Sequence, residues 1–366
     1  MRDLIPIINQ WQEQGRSIAL ATVVWASGSS PRPVGAKMVV SSTSEMAGSV
    51  SGGCVEGDVV EIALQCLQSG KPKLIHYGIA DETAWSFGLA CGGEIKVFIE
   101  PLFHPALPSG FSHKLYEKLC ILLQQDRSFP TATLLSGNSV GQKFLYLPDR
   151  QRAEEKKPTW VNEEIINTLL HCLENNRPEL INLKIQDQIL EVFIEPFQVQ
   201  PRLIIIGAVH IAEALVNYAR QLQYKTIVID PRSGFLTRER FPFADELLKA
   251  WPDEALQKFQ LRYTDGLVAL SHDEKFDTPA LAAALNSPVG YIGVLGSRNT
   301  REQRFLALKE KGFNKNDLAR IHAPIGLDIG AVKPEEIALA IMAEIVAFFS
   351  SKPIKNPIPN QNYLEK

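Results

Sequence analysis

Residues 202–230 carry the pattern that most restricts how this chain can fold: an apolar run, RLIIIG, an amphipathic stretch over about 210–222, then a second apolar run, KTIVID. Strands that are apolar on both faces need cover on both faces, so this βαβ pattern belongs to a parallel sheet inside an α/β domain. The pattern continues through LVALSH, YIGVLGS, a helix from about 299, the segment RIHAPIGLDIG and a last helix over about 334–349. A Rossmann-like domain is predicted over 200–350, followed by a polar tail over 351–366. Residues 1–199 read instead as a mixed α/β domain. SIALATVVWA, MVVSS, GSVSG, PKLIHYGI and EIKVFIEP are strand-like, and helices are predicted from Val55, around 112–125 and around 162–175. The polar segment PDRQRAEEKKPT is a surface loop. IKVFIEPLF at 95–103 is echoed by LEVFIEPFQ at 190–198, which fits either a duplicated sheet element or a coincidence.

Hydrophobic residues make up 45% of the 366-residue chain and charged residues 22%, with a net charge of −3. That balance suits a soluble globular protein and leaves no basic footprint for nucleic acid. The apolar runs are too short to span a bilayer, and MRDLIPIINQWQEQ lacks the features of a signal peptide. A cytoplasmic protein is expected, with neither a membrane nor a nucleic acid as partner. The five cysteines, Cys54, Cys66, Cys91, Cys120 and Cys172, include no CxxC pair, which argues against a disulfide framework or a zinc finger. All lie in the first half, so the two halves are expected to differ in chemistry.

In the second half, Gly207-Ala208-Val209-His210-Ile211-Ala212 meets the first and third requirements of a G-x-G-x-x-G/A fingerprint. Val209 replaces the glycine that lets a pyrophosphate touch the backbone. Asp230, at the end of the next strand, suits a ribose hydroxyl. A Rossmann fold without a dinucleotide explains these residues as well as an NAD(P) site does, and Val209 counts against NAD(P). His210, on the first helical turn, is either a solvated cap or a phosphate ligand. Gly296, Ser297 and Arg298 combine open backbone, a hydroxyl and a guanidinium, which fits an anion loop or a plain helix cap.

In the first half, SGSSPRPVGAK gathers Ser29, Ser30, Arg32 and Lys37, as a phosphate cradle or as a bare surface turn. GSVSGGCVEGDVV places Cys54 after Gly52 and Gly53, just before Glu56 and Asp58. A helix N-terminus activates a thiol, while the two acidic residues oppose that effect. The glycines leave room for a ligand to approach the backbone. Cys91 has the mirrored setting, followed by Gly92 and Gly93. Cys66, Cys120 and Cys172 lie on apolar helix faces and are expected in the core. Soft sulfur in glycine-rich loops suits a soft metal centre or sulfur transfer, so Cys54 and Cys91 are the candidate metal ligands.

GSSPRPVGAKM, GSVSGGCVEG and CGGEIKVFIEP resemble the N-terminal domain of the XdhC/CoxF family, maturation factors for xanthine and carbon monoxide dehydrogenases. IIIGAVHIAEAL, VIDPR, GYIGVLGSR and HAPIGLDIGAVKPEEIALAIMAEI resemble that family's C-terminal Rossmann domain, and the matches are weakest over about 105–195. The resemblance implies a homodimeric chaperone without catalytic residues. It would bind molybdenum cofactor, protect it during sulfuration by a cysteine desulfurase, and deliver it to a xanthine or carbon monoxide dehydrogenase-type molybdoenzyme. Cys54 would then hold or shield the metal, and the serine-rich loop would take the pterin phosphate. The cofactor-binding residues expected are Ser29, Ser30, Arg32, Lys37, Gly52, Gly53, Cys54, Glu56, Cys91, Gly92 and Gly93, with Gly207, His210, Asp230, Gly296, Ser297 and Arg298 in the second domain. The family usually has GAGH where this chain has Gly207-Ala208-Val209-His210. An NAD(P)-dependent oxidoreductase is the competing reading, and sulfur transfer through a Cys54 persulfide is a third.

Overall fold

The structure is a computed structural model that describes residues 1–78, 92–105, 110–148, 157–185 and 188–350. Its contacts divide the chain into two compact units, Met1–Val199 and Gln200–Lys366.

The first unit begins with α1 (Ile5–Glu13), β1 (Ile18–Ser27), β2 (Lys37–Ser41), β3 (Met46–Gly48), α2 (Glu56–Ser69), β4 (Lys73–Tyr77) and β5 (Glu94–Pro101). It continues with α3 (His113–Gln124), β6 (Phe129–Leu134), β7 (Lys143–Leu145), α4 (Glu163–Asn175), β8 (Glu179–Ile185) and β9 (Gln188–Phe197). The strand orders are β3-β2-β1-β5-β4 and β7-β6-β9-β8, so the same αββαββ unit occurs twice, with β3 added to the first copy. Registers agree residue by residue as far as Val23 and Leu134, beyond which β1 carries a bulge. Thr22 faces Lys37 and Phe98 in the first copy, as Thr133 faces Lys143 and Phe193 in the second. The echo of IKVFIEP in LEVFIEP therefore marks a duplication, since β5 and β9 hold the same place in their sheets.

The duplication extends to the hairpin after the first strand. Ser27-Gly28-Ser29-Ser30 and Val34-Gly35-Ala36-Lys37 correspond to Ser136-Gly137-Asn138-Ser139 and Val140-Gly141-Gln142-Lys143. In both hairpins the Gly amide donates to a carbonyl of the first strand, Gly35 to Val23 and Gly141 to Leu134, each at 2.8 Å. Pro31, Arg32 and Pro33 have no counterpart, nor do two of the residues between Val23 and Ser27. Helices α2 and α4 match too: each ends in a left-handed residue, Gly70 or Asn176, whose amide reaches back to the carbonyl of Cys66 or Cys172. Both of these cysteines are fully buried, on the cores of their respective sheets. The copies join through a symmetric apolar cluster in which Val24, Phe98, Val34 and Leu74 match Leu135, Phe193, Val140 and Leu180.

One strand expectation is corrected. Of GSVSG only Gly48 is in a strand, at the end of β3. The amides that follow turn toward a side chain instead of a sheet ladder, as described below.

The second unit is a six-stranded parallel sheet ordered β12-β11-β10-β13-β14-β15. Its elements are β10 (Arg202–Ile206), α5 (His210–Gln221), β11 (Lys225–Ile229), β12 (Glu246–Leu248), α6 (Pro252–Leu256), β13 (Gly266–Ala269), α7 (Glu274–Leu285), β14 (Tyr291–Val294), α8 (Arg298–Glu310), α9 (Lys315–Leu318), β15 (Ile321–His322) and α10 (Pro334–Ser350). This is the doubly wound Rossmann order, in which the strand order reverses between β10 and β13. One apolar cluster beneath α5 and α10 and another beneath α6, α7 and α8 cover the two faces. That cover is what the apolar strands required.

Candidate functional site

In the first unit, the loops after β1, between β3 and α2, and before β5 meet. Arg32 Nε donates to the Ser49 carbonyl at 3.3 Å, and a Cβ placed on Gly52 would lie 3.7 Å from Pro31 Cβ. Gly93 sits so close to Ser29 that a Cβ there would come within 2.5 Å of the Ser29 carbonyl. Ser29, Ser30, Arg32, Gly52, Gly53, Cys54, Gly92 and Gly93 therefore fall in one neighbourhood, with Ser29, Arg32 and Cys54 exposed. Ser30 is partly committed, because its Oγ donates to the Arg32 carbonyl at 2.8 Å. Cys91 lies outside the described residues.

The loop that carries Cys54 is built around Glu56. The Glu56 carboxylate is 6% exposed. It accepts Ser49 Oγ at 2.7 Å and the amides of Val50, Ser51, Gly52 and Gly53 at 2.8–3.2 Å, together with Ser51 Oγ. Curling four successive amides toward one point needs positive φ at Gly52 (+80°) and Gly53 (+120°), a conformation that side chains disfavour. Ser51 Oγ, having given its proton to Glu56, accepts the amides of Cys54 and Val55, each at 3.0 Å. Burial by itself pushes the Glu56 carboxyl up. The hydrogen bonds from Ser49, Ser51 and Gly53 outweigh it and hold the group at about 2.

Two expectations change here. Glu56 was expected to bind cofactor, but its carboxylate is saturated by its own loop. Gly52 and Gly53 serve the curl of the backbone around that carboxylate, and their amides are already taken.

Lys37 is also corrected. It belongs to β2, is buried, and points its Nζ at Glu195 Oε1 (2.8 Å) in the other copy instead of into the serine loop. Its counterpart Lys143 pairs with Glu100 at 2.7 Å, so the copies exchange two ion pairs. The Lys side chains also donate to Thr22 and Thr133 at 3.4 and 3.0 Å. These residues line a cavity of about 30 Å³, room for a water or two and far too small for a pterin. Burial pushes the Glu100 carboxyl up, with Lys143 opposing. Sequence reading missed this network, because a strand Lys followed by a distant Glu carries no local signal.

In the Rossmann unit, Gly207 packs on Ser271 so tightly that a Cβ would lie 2.8 Å from its Cα, which explains the glycine without a ligand. Asp230 is corrected. It is fully buried, and its oxygens accept the Ala208 amide (2.8 Å) and the Arg232 amide, Nε and Nη2 (2.9, 2.9 and 2.7 Å). Burial raises its carboxyl, and these bonds outweigh burial and lower it. A carboxylate so engaged is not offered to a ribose. Val209 is the extended N-cap of α5, and His210 is exposed on its first turn. Ser297 caps α8, accepting the Thr300 amide at 3.3 Å, while Gly296 sits against Arg304. Arg298 contributes only backbone to the described residues.

Below these loops lies a buried network that the sequence did not reveal. Arg304 donates to Asp277 Oδ2 (2.6 Å) and to the Leu295 carbonyl (2.5 Å), and Ser271 donates to Asp277 Oδ1 (2.6 Å). On the charged surface pattern of α8, Arg304 reads as one more solvated cation. Among the described residues, no group of three or more His, Cys, Asp or Glu side chains is placed to hold a metal ion, and no helix is long and apolar enough to cross a membrane.

The family model for the XdhC Rossmann domain matches residues 203–345, and the model for the XdhC and CoxI family matches residues 11–78. A Bacillus subtilis protein, named as a probable xanthine dehydrogenase subunit, is 29% identical across 91% of this chain and 94% of its own. The molybdenum cofactor insertion chaperone PaoD of Escherichia coli is 26% identical over 91% of this chain and 84% of its own. A crystal structure described as a xanthine dehydrogenase from Bacillus halodurans superposes with a TM-score of 0.75 at 25% identity, covering 95% and 96% of the two chains. The chain therefore carries a domain of the XdhC and CoxI family over residues 11–78 and an XdhC Rossmann domain over 203–345.

Proposed function

We propose that this protein binds molybdenum cofactor as cargo, shelters it during sulfuration by a cysteine desulfurase, and delivers it to a xanthine or carbon monoxide dehydrogenase-type molybdoenzyme in the cytoplasm. It works as a homodimer without turnover of its own. The names of the Bacillus subtilis and Escherichia coli relatives support this reading. The observation that carries it is the meeting of three loops that leave a thiol, Cys54, and a guanidinium, Arg32, exposed on a backbone held in place. A soft thiol suits a soft metal centre, and a guanidinium in the same loop as the exposed Ser29 suits the pterin phosphate. Lys37 and Glu56, facing inward, do not touch the cofactor in this reading. The engaged Asp230 carboxylate counts against the NAD(P) reading.

Anaerobic purification followed by molybdenum and pterin analysis tests the proposal. The unaltered protein should carry both, and Cys54→Ala should retain at least tenfold less per folded molecule. Equal retention would make the thiol incidental, and no pterin in either protein would sink the reading.

A further inference from the structure

We infer that Glu56 is a positioning residue whose ionised carboxylate acts as the internal ligand of the 49–54 loop and sets where Cys54 is presented. The loop has a built-in anion site formed by four amides and two hydroxyls, and the chain fills it with its own side chain. The link to Cys54 is a relay through one hydroxyl. A serine hydroxyl has one proton and two lone pairs. Because Glu56 takes the Ser51 proton, both lone pairs are free to hold the amides of Cys54 and Val55.

The second copy of the fold supplies the control. Helix α4, the counterpart of α2, begins in the ordinary way, with Asn162 Oδ1 accepting the Ile165 amide at 3.0 Å. Helix α2 has no side-chain cap at Val55. Glu163, first in α4 as Glu56 is first in α2, is exposed, whereas Glu56 is buried. The fold therefore builds this helix start without a buried glutamate, and among the described residues the device appears only in the copy that carries Cys54.

Backbone amide exchange in the full chain, read without cofactor, tests the assignment directly. Glu56→Gln puts an N–H donor among donors, and Glu56→Ala empties the site. In both, exchange protection at Val50–Gly53 should fall at least tenfold, while Glu163→Gln leaves it unchanged. Added formate should restore part of the protection to Glu56→Ala, an effect that mere loss of packing would not show. Unchanged protection in both variants, or a loss that formate does not reverse, overturns the assignment. The positioning role rests on the cofactor reading above and has its own readout. Cofactor retention per folded molecule should fall at least tenfold in Glu56→Gln, and normal retention with lost protection overturns that role. If the unaltered protein carried no cofactor, the proposed function would fail while the exchange data still judged Glu56.

Discussion

The two copies of the αββαββ unit share one architecture and have different ends. Both have the Ser-Gly hairpin, the strand Lys, the Phe-Ile-Glu-Pro strand end and a buried helix cysteine above a left-handed cap. Only the first has Pro31-Arg32-Pro33 and Cys54, and among the described residues only the first has the Glu56-centred loop. A residue present in both copies is explained by what the copies share, which is packing, register and the contact between them. Lys37 illustrates this: it looks like a phosphate ligand in its own loop, and the equivalent Lys143 reveals it as half of an exchanged pair of ion bridges. Cys66 and Cys172 are explained in the same way. What remains after the shared residues are set aside is the part available for function.

The largest expected effect on cofactor retention comes from making the first copy resemble the second. Deleting Pro31, Arg32 and Pro33 should leave a hairpin only two residues longer than the one the second copy already forms, so the fold should survive. Pterin retention per folded molecule should drop tenfold or more. A deletion variant that melts normally and keeps its pterin would remove the insertion from the site.

Next come the exchanged ion pairs. Lys143→Met strands Glu100, whose side chain is 2% exposed and whose Oε2 already lacks a partner. Removing one partner of a buried pair costs about 3–5 kcal/mol. Lys37→Met should cost less, because Glu195 keeps 16% of its surface and some hydration. Urea melts should rank the two in that order, and Lys143→Met combined with Glu100→Leu should recover most of the loss. Equal costs would contradict the asymmetry between the copies.

The smallest effect concerns the matched cysteines. Burial pushes the thiols of Cys66 and Cys172 up to about 11 and about 12, so they are inert packing groups. Cys66→Ala and Cys172→Ala should each cost about 1 kcal/mol, small because little volume is lost. They lie in separate cores, so the double variant should show the sum of the two. Cofactor retention per folded molecule should not change in either.

Much of this molecule was legible in its residues. Apolar runs such as RLIIIG and KTIVID require cover on both faces, and that requirement set the parallel Rossmann sheet before any contact was known. The spacing of Val55, Val59 and Cys66 set helix α2 and buried its cysteine, because a helix of 3.6 residues per turn places them on one side. The glycine-flanked Cys54 stood out because no packed core would surround it. The tertiary structure decided the rest, through partners that lie far apart in the chain or need the exact path of the backbone. Lys37 turns inward because Glu195, 158 residues away, waits there. Asp230 is spent on Ala208 and Arg232 because the β10 turn brings an amide to it. Glu56 lies close to Cys54 in sequence, yet its role appeared only once four amides were seen to converge on its carboxylate. Residue type and spacing report which face is apolar, while the direction of a polar group depends on a partner that only the folded chain supplies.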